Sequence, residues 1–266
     1  MLSIKEQIKI VKGYILQAER SYKSRPEGTL IVSERPKSVQ YYHQLAGGGK
    51  YKRTHLHKTQ DKTIRRLAQA EYDGAFLKEA YSLLNELEAL ARLGAERSAM
   101  VMYDALSRPY EILRKVRKEL VTPYVLPREE YIKKWLTAPY DQKGINSDIS
   151  AFMTENEERV RSKSEKIIAD KLYHMGIPYH YEEKLVLGGV TVHPDFTILD
   201  SRERTVCYYE HFGMMQNPEY CRNALSKMAM YEKVGYRLGR EFFCTFESED
   251  NPLDVRVLES VFRAFS

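Results

Sequence analysis

The stretch Thr191–Gly213 reads TVHPDFTILDSRERTVCYYEHFG, and it decides the fold expected for the C-terminal part of the chain. Two apolar runs typical of β-strands flank a charged turn, and each run carries one acid, Asp195 or Glu210. A hairpin that turns at Arg202–Glu203 would place the two acids directly opposite each other on one face, with Cβ atoms about 5 Å apart. Carboxylates at that distance repel each other, and burial increases the cost.

A hard divalent cation would convert this repulsion into binding, because Mg²⁺ (or Mn²⁺) prefers carboxylates together with water and phosphate oxygens. The helix before the strands supplies a third acid, Glu165, which points inward beside an apolar stripe. We therefore predict a metal site formed by Asp195, Glu210 and Glu165. Two simpler interpretations stay open, since the strands could pair in another register and Arg161 could neutralise Glu165 by a salt bridge.

The rest of the C-terminal part follows the order α-β-β-β-α-β-α. The first helix is predicted over 154–176, where Thr154 and Glu157 stand at the spacing of a capping box. The second helix is expected to begin at Asn217 and Pro218, an N-cap residue followed by a first-turn proline. The four expected strands are YHYEEKLVL, VTVHPDFTIL, TVCYYEHF and EFFCTFE, and LDVRVLESVFRAF closes the domain as a helix.

The N-terminal part is predicted to be mainly helical, with a small antiparallel β-meander of TLIVSER, SVQYYHQL and KYKRTHLH after a first helix. A helix is expected to break at Gly74, and the next one to stop at Gly94. Loop composition over 137–148 indicates the boundary. We therefore expect an α/β protein with a basic, mainly helical domain at 1–148 and a second domain at 149–266.

Composition indicates a globular, cytoplasmic protein that binds a polyanion. No run of about 18 apolar residues predicts a membrane span, and three scattered cysteines favour a reducing compartment. Residues 1–150 contain 27 Lys and Arg against 18 Asp and Glu, whereas residues 151–266 contain 15 against 19. A basic part beside an acid-bearing part suggests nucleic acid as the partner.

The strongest basic run, residues 50–66, contains seven Lys and Arg and one Asp, with Tyr41, Tyr42 and Tyr51 nearby. Basic residues interleaved with aromatic ones suit phosphate contacts combined with base stacking, although an ordinary solvated face has the same composition. Arg161 and Lys163 could hold flanking phosphates. The candidate nucleic-acid contacts are Lys50, Lys52, Arg53, Lys58, Arg65, Arg66, Arg161 and Lys163.

The α-β-β-β-α-β order, together with RSKSE, HPDF and YYEHFG, resembles the PD-(D/E)XK (restriction-endonuclease-like) nuclease superfamily. The motifs also resemble an uncharacterised bacterial group with RSKSE…YE…PDF…YWEHFGMM runs. The resemblance to the nuclease core covers about 151–266 and implies a Mg²⁺-dependent nuclease in which Asp195, Glu210 and Glu165 bind the metal. It further implies DNA more than RNA as substrate, a role in phage defence or mobile-element biology, and a homodimer or a partner such as a helicase.

The sequence departs from the superfamily pattern at its lysine, because the second residue after Glu210 is Phe212. Lys227 is the first candidate to replace it, since it lies on an apolar helix face. His211 is the second, because imidazole is a competent acid and base. A degenerate nuclease fold that binds nucleic acid or docks a partner without cleaving stays open as the alternative function.

Overall fold

The computed structural model describes residues 2–47, 50–94, 98–144 and 151–265. The chain divides into two compact units, Met1–Glu130 and Tyr131–Ser266. This division falls earlier than the loop at 137–148 that composition indicates as the boundary, and residues 145–148 of that loop lie outside the described part. No helix of the described ranges combines the length and the apolar character needed to cross a bilayer.

The first unit contains long helices and one small sheet. Its helices are α1 (Ile4–Lys23), α2 (Asp61–Arg92), α3 (Ala99–Glu111) and α4 (Lys115–Lys118), and α5 (Arg128–Leu136) crosses the division between the units. The sheet consists of β1 (Thr29–Arg35), β2 (Ser38–Gly47) and β3 (Lys50–Leu56), paired antiparallel in the order β1-β2-β3. The predicted β-meander is therefore confirmed.

The predicted helix break at Gly74 is wrong, because α2 runs through this residue for 32 residues. Gly74 instead serves packing. A Cβ atom there would lie 3.3 Å from Cε2 of Tyr22, a tight contact, so glycine gives the Tyr22 ring of α1 room to pack against α2 at this point. The predicted stop at Gly94 agrees with the structure, where α2 ends at Arg92 and Gly94 has a φ of 64°.

The second unit is built around a four-stranded sheet. Its helices are α6 (Lys163–His174), α7 (Pro218–Lys233) and α8 (Val255–Phe262). Its strands are β4 (Phe152–Met153), β5 (Arg159–Val160), β6 (Tyr179–Tyr181), β7 (Leu185–Leu187), β8 (Val190–Val192), β9 (Phe196–Asp200), β10 (Thr205–Phe212) and β11 (Phe242–Phe246). The central sheet has the order β11-β10-β9-β6, in which β11 lies parallel to β10 and the other pairs are antiparallel.

The capping box predicted at Thr154 and Glu157 is wrong. These residues lie in the turn between β4 and β5, where Glu157 has a φ of 58°, a left-handed conformation incompatible with a helix. Helix α6 begins later, and the Ser162 hydroxyl caps it by accepting a hydrogen bond from the Glu165 N–H at 3.1 Å. The short hairpin of β4 and β5 takes up the residues that the sequence assigned to the first turn, so the helix starts only after this hairpin.

Two predicted strands are each divided in the structure. The first stops at Tyr181, because Glu182 adopts a φ of 49°. The second is divided around Pro194 into β8 and β9, since proline has no N–H to donate to a ladder. The parts of the two predicted strands that do not join the central sheet, β7 and β8, pair with each other as a separate hairpin.

Each unit has its own apolar core. In the second unit, α6 and α8 pack against the sheet through fully buried side chains, among them Ile168, Leu172, Phe196, Tyr209 and Phe262. This core anchors the amino end of β9 and the carboxyl end of β10. It therefore holds in place the residues at these strand ends, which include Asp195 and Glu210.

Candidate active site

The antiparallel register of β9 and β10 brings Asp195 opposite Glu210. The ladder runs from Asp200–Thr205 to Phe196–Tyr209, and the next pair in the same register is Asp195 and Glu210, as predicted. Asp195 is held at this position by its side chain, whose Oδ2 accepts a 2.7 Å hydrogen bond from the His211 N–H. The alternative register is therefore excluded.

Glu210 is almost completely buried, at 2% exposure, and both of its oxygens have donors from α7. The Lys227 ammonium lies 2.6 Å from Oε1 and 2.7 Å from Oε2. The Tyr231 hydroxyl, one helical turn later, donates to Oε1 at 2.8 Å. Lys227 therefore reaches the acid pair instead of extending to the solvent at the edge of the helix.

Glu165 lies in the first turn of α6 and faces the same region. Its Oε2 accepts hydrogen bonds from the Arg161 N–H at 2.9 Å and from the Tyr181 hydroxyl at 2.6 Å. The Arg161 guanidinium does not pair with Glu165; it binds Glu182 instead, at 2.7 and 3.0 Å. The salt bridge considered as the simpler explanation of Glu165 is therefore absent, and only the backbone of Arg161 contacts this acid.

The pKa values of Asp195 and Glu210 show that the charged forms of both acids are disfavoured at these positions. The pKa of Asp195 is raised well above its usual range, first by burial and then by the charge of Glu210, with a smaller contribution from Glu165. Burial also raises the pKa of Glu210, although Lys227 and Tyr231 oppose that effect. The charges of Glu210 and Glu165 therefore both act on Asp195, and the His211 N–H and the charge of Lys227 oppose only part of the rise in its pKa.

A divalent cation fits this donor set in part. Mg²⁺ binds pairs of close carboxylates together with water molecules. Of the two acids here, Asp195 is partly accessible to solvent. However, no group of three or more His, Cys, Asp or Glu side chains in the described ranges is arranged to hold a metal ion. Asp195 and Glu210 are therefore the stronger candidate ligands, and Glu165 is the weaker third.

Phe212, at the position where the resemblance to the nuclease superfamily implies a lysine, has a packing role. It is 4% exposed, and its ring stacks on Phe246 of the neighbouring strand with centroids 5.5 Å apart. A lysine at this position would bury an ammonium between apolar rings, which is costly. The positive charge at the acid pair comes from Lys227 on α7 instead.

The imidazole of His211 faces away from Glu210, as strand alternation predicts. Its Nδ1 lies 2.9 Å from Oγ1 of Thr245, and its Nε2 lies 3.4 Å from Oε1 of Glu247. Burial lowers the pKa of His211, while the nearby charge of Glu247 raises it. His211 contributes to the acid pair through its backbone N–H on Asp195.

Sequence analysis missed Glu247, which joins two elements near the acids. Its Oε1 accepts a 2.8 Å hydrogen bond from the Ser164 hydroxyl, and its Oε2 accepts one from the Leu253 N–H at 3.2 Å. The parallel pairing of Phe212 with Phe246 puts Glu247 at the same end of the sheet as Glu210. The acid is visible at the end of the predicted strand EFFCTFE, but the sequence does not show that this strand pairs with β10.

The predicted phosphate contacts differ in how free their side chains are. Lys52, Arg53 and Lys58 are exposed, as is Lys163 at the start of α6. Arg65 binds Asp61 at 2.7 Å and the Glu119 carbonyl, and Arg66 donates to the Ser24 carbonyl. The Lys50 backbone belongs to β3, and its side chain lies outside the described part.

Comparison with known proteins places this chain near one uncharacterised relative. It is 33% identical over 126 residues to the uncharacterised protein MJ1519 of Methanocaldococcus jannaschii, a match that covers 41% of this chain. The matched segment covers about 10% of the length of that relative. No family model matches the chain, and no solved structure matches it either.

Proposed function

We propose that the second unit is a metal-dependent nuclease that hydrolyses phosphodiester bonds, with DNA as the substrate. The observation that carries the proposal is the placement of Lys227 on Glu210, directly opposite Asp195. Two carboxylates and one ammonium at a strand end form the charge set needed to hold a cation and a phosphate together. Stability of the fold does not explain these three charged groups, because apolar side chains in their place would have a lower desolvation cost.

The order of elements supports the same proposal. Helix α6 precedes an antiparallel meander of β6, β9 and β10, and α7 then leads to β11 beside β10. This is the αβββαβ succession expected for a restriction-endonuclease-like core, with the β7–β8 hairpin as an insertion. Asp195 directly precedes the second strand of that succession and Glu210 lies on the third, which agrees with the positions that the resemblance implies.

Each residue of the site has a role in the proposed reaction. Mg²⁺ held by Asp195 and Glu210 would polarise the phosphate and activate a water molecule for in-line attack. The His211 N–H orients Asp195, and the Tyr231 hydroxyl orients Glu210. Lys227 supplies positive charge beside the reacting phosphate, and Glu165 carries the third negative charge.

Nicking of supercoiled plasmid DNA with Mg²⁺ or Mn²⁺ tests the proposal. We expect Asp195→Ala to abolish nicking while DNA binding in EDTA stays unchanged, because the carboxylate holds the metal and not the DNA. Asp250→Ala, which removes an exposed acid of the same unit, is the matched control and should cleave normally. Cleavage that persists in EDTA, or in Asp195→Ala, would contradict the proposal.

Lys227→Met separates the candidates for the lysine role. We expect turnover to fall by about 100-fold or more with little change in DNA affinity, since a positive charge aimed at the transition state is lost. Unchanged cleavage would assign the role to His211 or to no side chain.

The second candidate function is a nucleic-acid-binding or partner-docking protein with a degenerate nuclease fold. One observation favours it: Lys227 and Tyr231 already satisfy both oxygens of Glu210 without a metal. It predicts DNA binding that is independent of Mg²⁺, with no cleavage by the unmodified protein under any divalent cation.

A further inference from the structure

The three-stranded sheet of the first unit has two chemically different faces. One face packs on α2 through Leu30 and Leu56, which contact Ile64, Leu67 and Ala68. By strand alternation the opposite face carries Tyr42, Tyr51, Arg53 and His55. None of these four residues belongs to an apolar core cluster of the described residues.

The open face is rich in accessible aromatic rings. The rings of Tyr42 and His55, directly paired across the strands, meet edge to face with centroids 5.3 Å apart. His57 continues the row, 4.8 Å from His55. Tyr51 is 71% exposed, which is unusual for a large ring that serves only the fold.

Polar and positive groups surround these rings. Arg53 donates from Nε to Oε1 of Gln44 at 2.6 Å, which holds its side chain across the sheet. The Tyr42 hydroxyl donates to Oε1 of Gln40 at 2.9 Å. An apolar protein partner would have to desolvate the arginine and these amides, whereas a nucleic acid would pair phosphate with Arg53 and bases with the rings.

We infer that this open face binds single-stranded nucleic acid, with bases stacked on Tyr42 and Tyr51 and a phosphate held by Arg53. A duplex hides the faces of its bases, so rings on a flat sheet can stack only on an unpaired strand. The net basic charge of residues 1–150 attracts the same ligand. The inference rests on the proposed function, since it gives the nuclease a single-stranded substrate or a substrate with a single-stranded end.

Neighbouring residues of β3 provide a matched test. Arg53 and Lys52 carry the same charge, are both exposed and lie on opposite faces of one strand. We expect Arg53→Ala to weaken binding of a fluorescein-labelled oligothymidylate several-fold more than Lys52→Ala. Measurements by fluorescence anisotropy use the full chain with Asp195→Ala in EDTA, so that cleavage does not interfere.

Tyrosine variants test the stacking. Tyr51→Ala should weaken binding of the oligothymidylate by roughly tenfold, and Tyr42→Ala should have an effect of similar size. Tyr81→Ala, which removes a tyrosine that is 43% exposed on α2, should leave affinity unchanged. Because Tyr51 is so exposed, its variant keeps the fold, and thermal unfolding of each protein verifies this.

The outcomes distinguish this inference from the proposed function. Three results would overturn the inference of a single-strand-binding face. These are equal losses of affinity for Arg53→Ala and Lys52→Ala, an unchanged affinity of Tyr51→Ala, and tighter binding of a DNA duplex than of the single strand. Such results would leave metal-dependent nicking by the unmodified protein intact. Conversely, a chain that never nicks DNA but loses oligothymidylate binding on Tyr51→Ala would retain the face and lose the nuclease.

Discussion

At the scale of single residues, Asp195 is an acid whose charged form the fold disfavours. It lies beside Glu210, but Lys227 pairs with Glu210 alone. Its raised pKa means that the folded protein binds a proton there more strongly than the unfolded chain does. The stability from this proton is fully present below about pH 4, the usual range of an aspartic acid, and is lost as pH rises through the raised pKa.

Asp195→Asn should therefore stabilise the metal-free protein at neutral pH. The amide can still accept the His211 N–H hydrogen bond, and it removes the charge that burial and Glu210 disfavour. We expect a higher midpoint of thermal unfolding at pH 7 in EDTA; a gain of about 1 kcal/mol corresponds to roughly 2–4 °C. The loss of stability with rising pH should also be smaller in the variant.

Controls make this pH prediction specific. Asp250→Asn, on an exposed loop, should follow the unmodified protein at every pH. If the proposed metal site is correct, Mg²⁺ should raise the unfolding midpoint of the unmodified protein more than that of Asp195→Asn, because the variant lacks one of the two proposed ligands. If the unfolding midpoints of Asp195→Asn and the unmodified protein depend on pH in the same way, the fold does not disfavour the charge of Asp195.

At the same scale, sequence patterns located the acids and named Lys227 as a candidate at the site, but they missed the other contacts of the acids. Asp195 and Glu210 followed from the symmetry of one hairpin, which is a local property of Thr191–Gly213. Tyr181 and Glu247 contact the site from strands whose pairing depends on the whole sheet. Sequence separation alone carries no information about such contacts.

At the scale of elements, α7 determines whether Glu210 is neutralised. Asn217 caps this helix by accepting hydrogen bonds from the N–H groups of Glu219 and Tyr220 at 2.9 and 3.1 Å, as the sequence predicts. The helix then presents Lys227 and Tyr231 on successive turns of one face. A local signal therefore positions two side chains ten or more residues away.

Asn217→Ala should reduce the free energy of unfolding by about 1 kcal/mol, the usual cost of losing an N-cap. Ser226→Ala is the control, because its hydroxyl only donates to the Arg222 carbonyl within the same helix and its loss should cost almost nothing. Urea unfolding of the three proteins measures both values. Equal effects of the two substitutions would contradict a role of the cap.

At the scale of the whole molecule, the second unit includes residues that precede its predicted boundary. The His180 ring lies between those of Trp135 and Tyr140, with centroids 3.7 and 4.1 Å away and nearly parallel planes. The Lys143 N–H also donates a backbone hydrogen bond to the Glu182 carbonyl, and the Lys184 N–H donates one to the Asp141 carbonyl. The segment after α5 therefore completes the second unit, although its loop composition suggested a linker.

Two fragments test this division. Residues 131–266 should unfold cooperatively on heating, because they keep the Trp135–His180–Tyr140 stack and their own core. Residues 149–266 should unfold at a temperature lower by several degrees, or fail to fold, because the stack is lost. Near-ultraviolet circular dichroism and thermal unfolding measure the difference, and equal stability of the two fragments would contradict the division at residue 131.

The amino-acid sequence by itself determined the elements that depend on local chemistry. These are the β-meander of the first unit, the hairpin register that opposes Asp195 to Glu210, and the α7 start at Asn217. Each follows from side-chain alternation or capping within a few residues, so the signal and its consequence lie close together in the chain.

Only the tertiary structure decided the continuity of α2 through Gly74 and the pairing of Lys227 with Glu210. A glycine does not have to end a helix, and at Gly74 the ring of Tyr22 from α1 packs close to the position that a Cβ atom would take. A lysine on an apolar stripe can reach either solvent or a buried acid, and the packing of α7 beside β10 decides which. These outcomes depend on contacts between segments far apart in the chain, which no local pattern encodes.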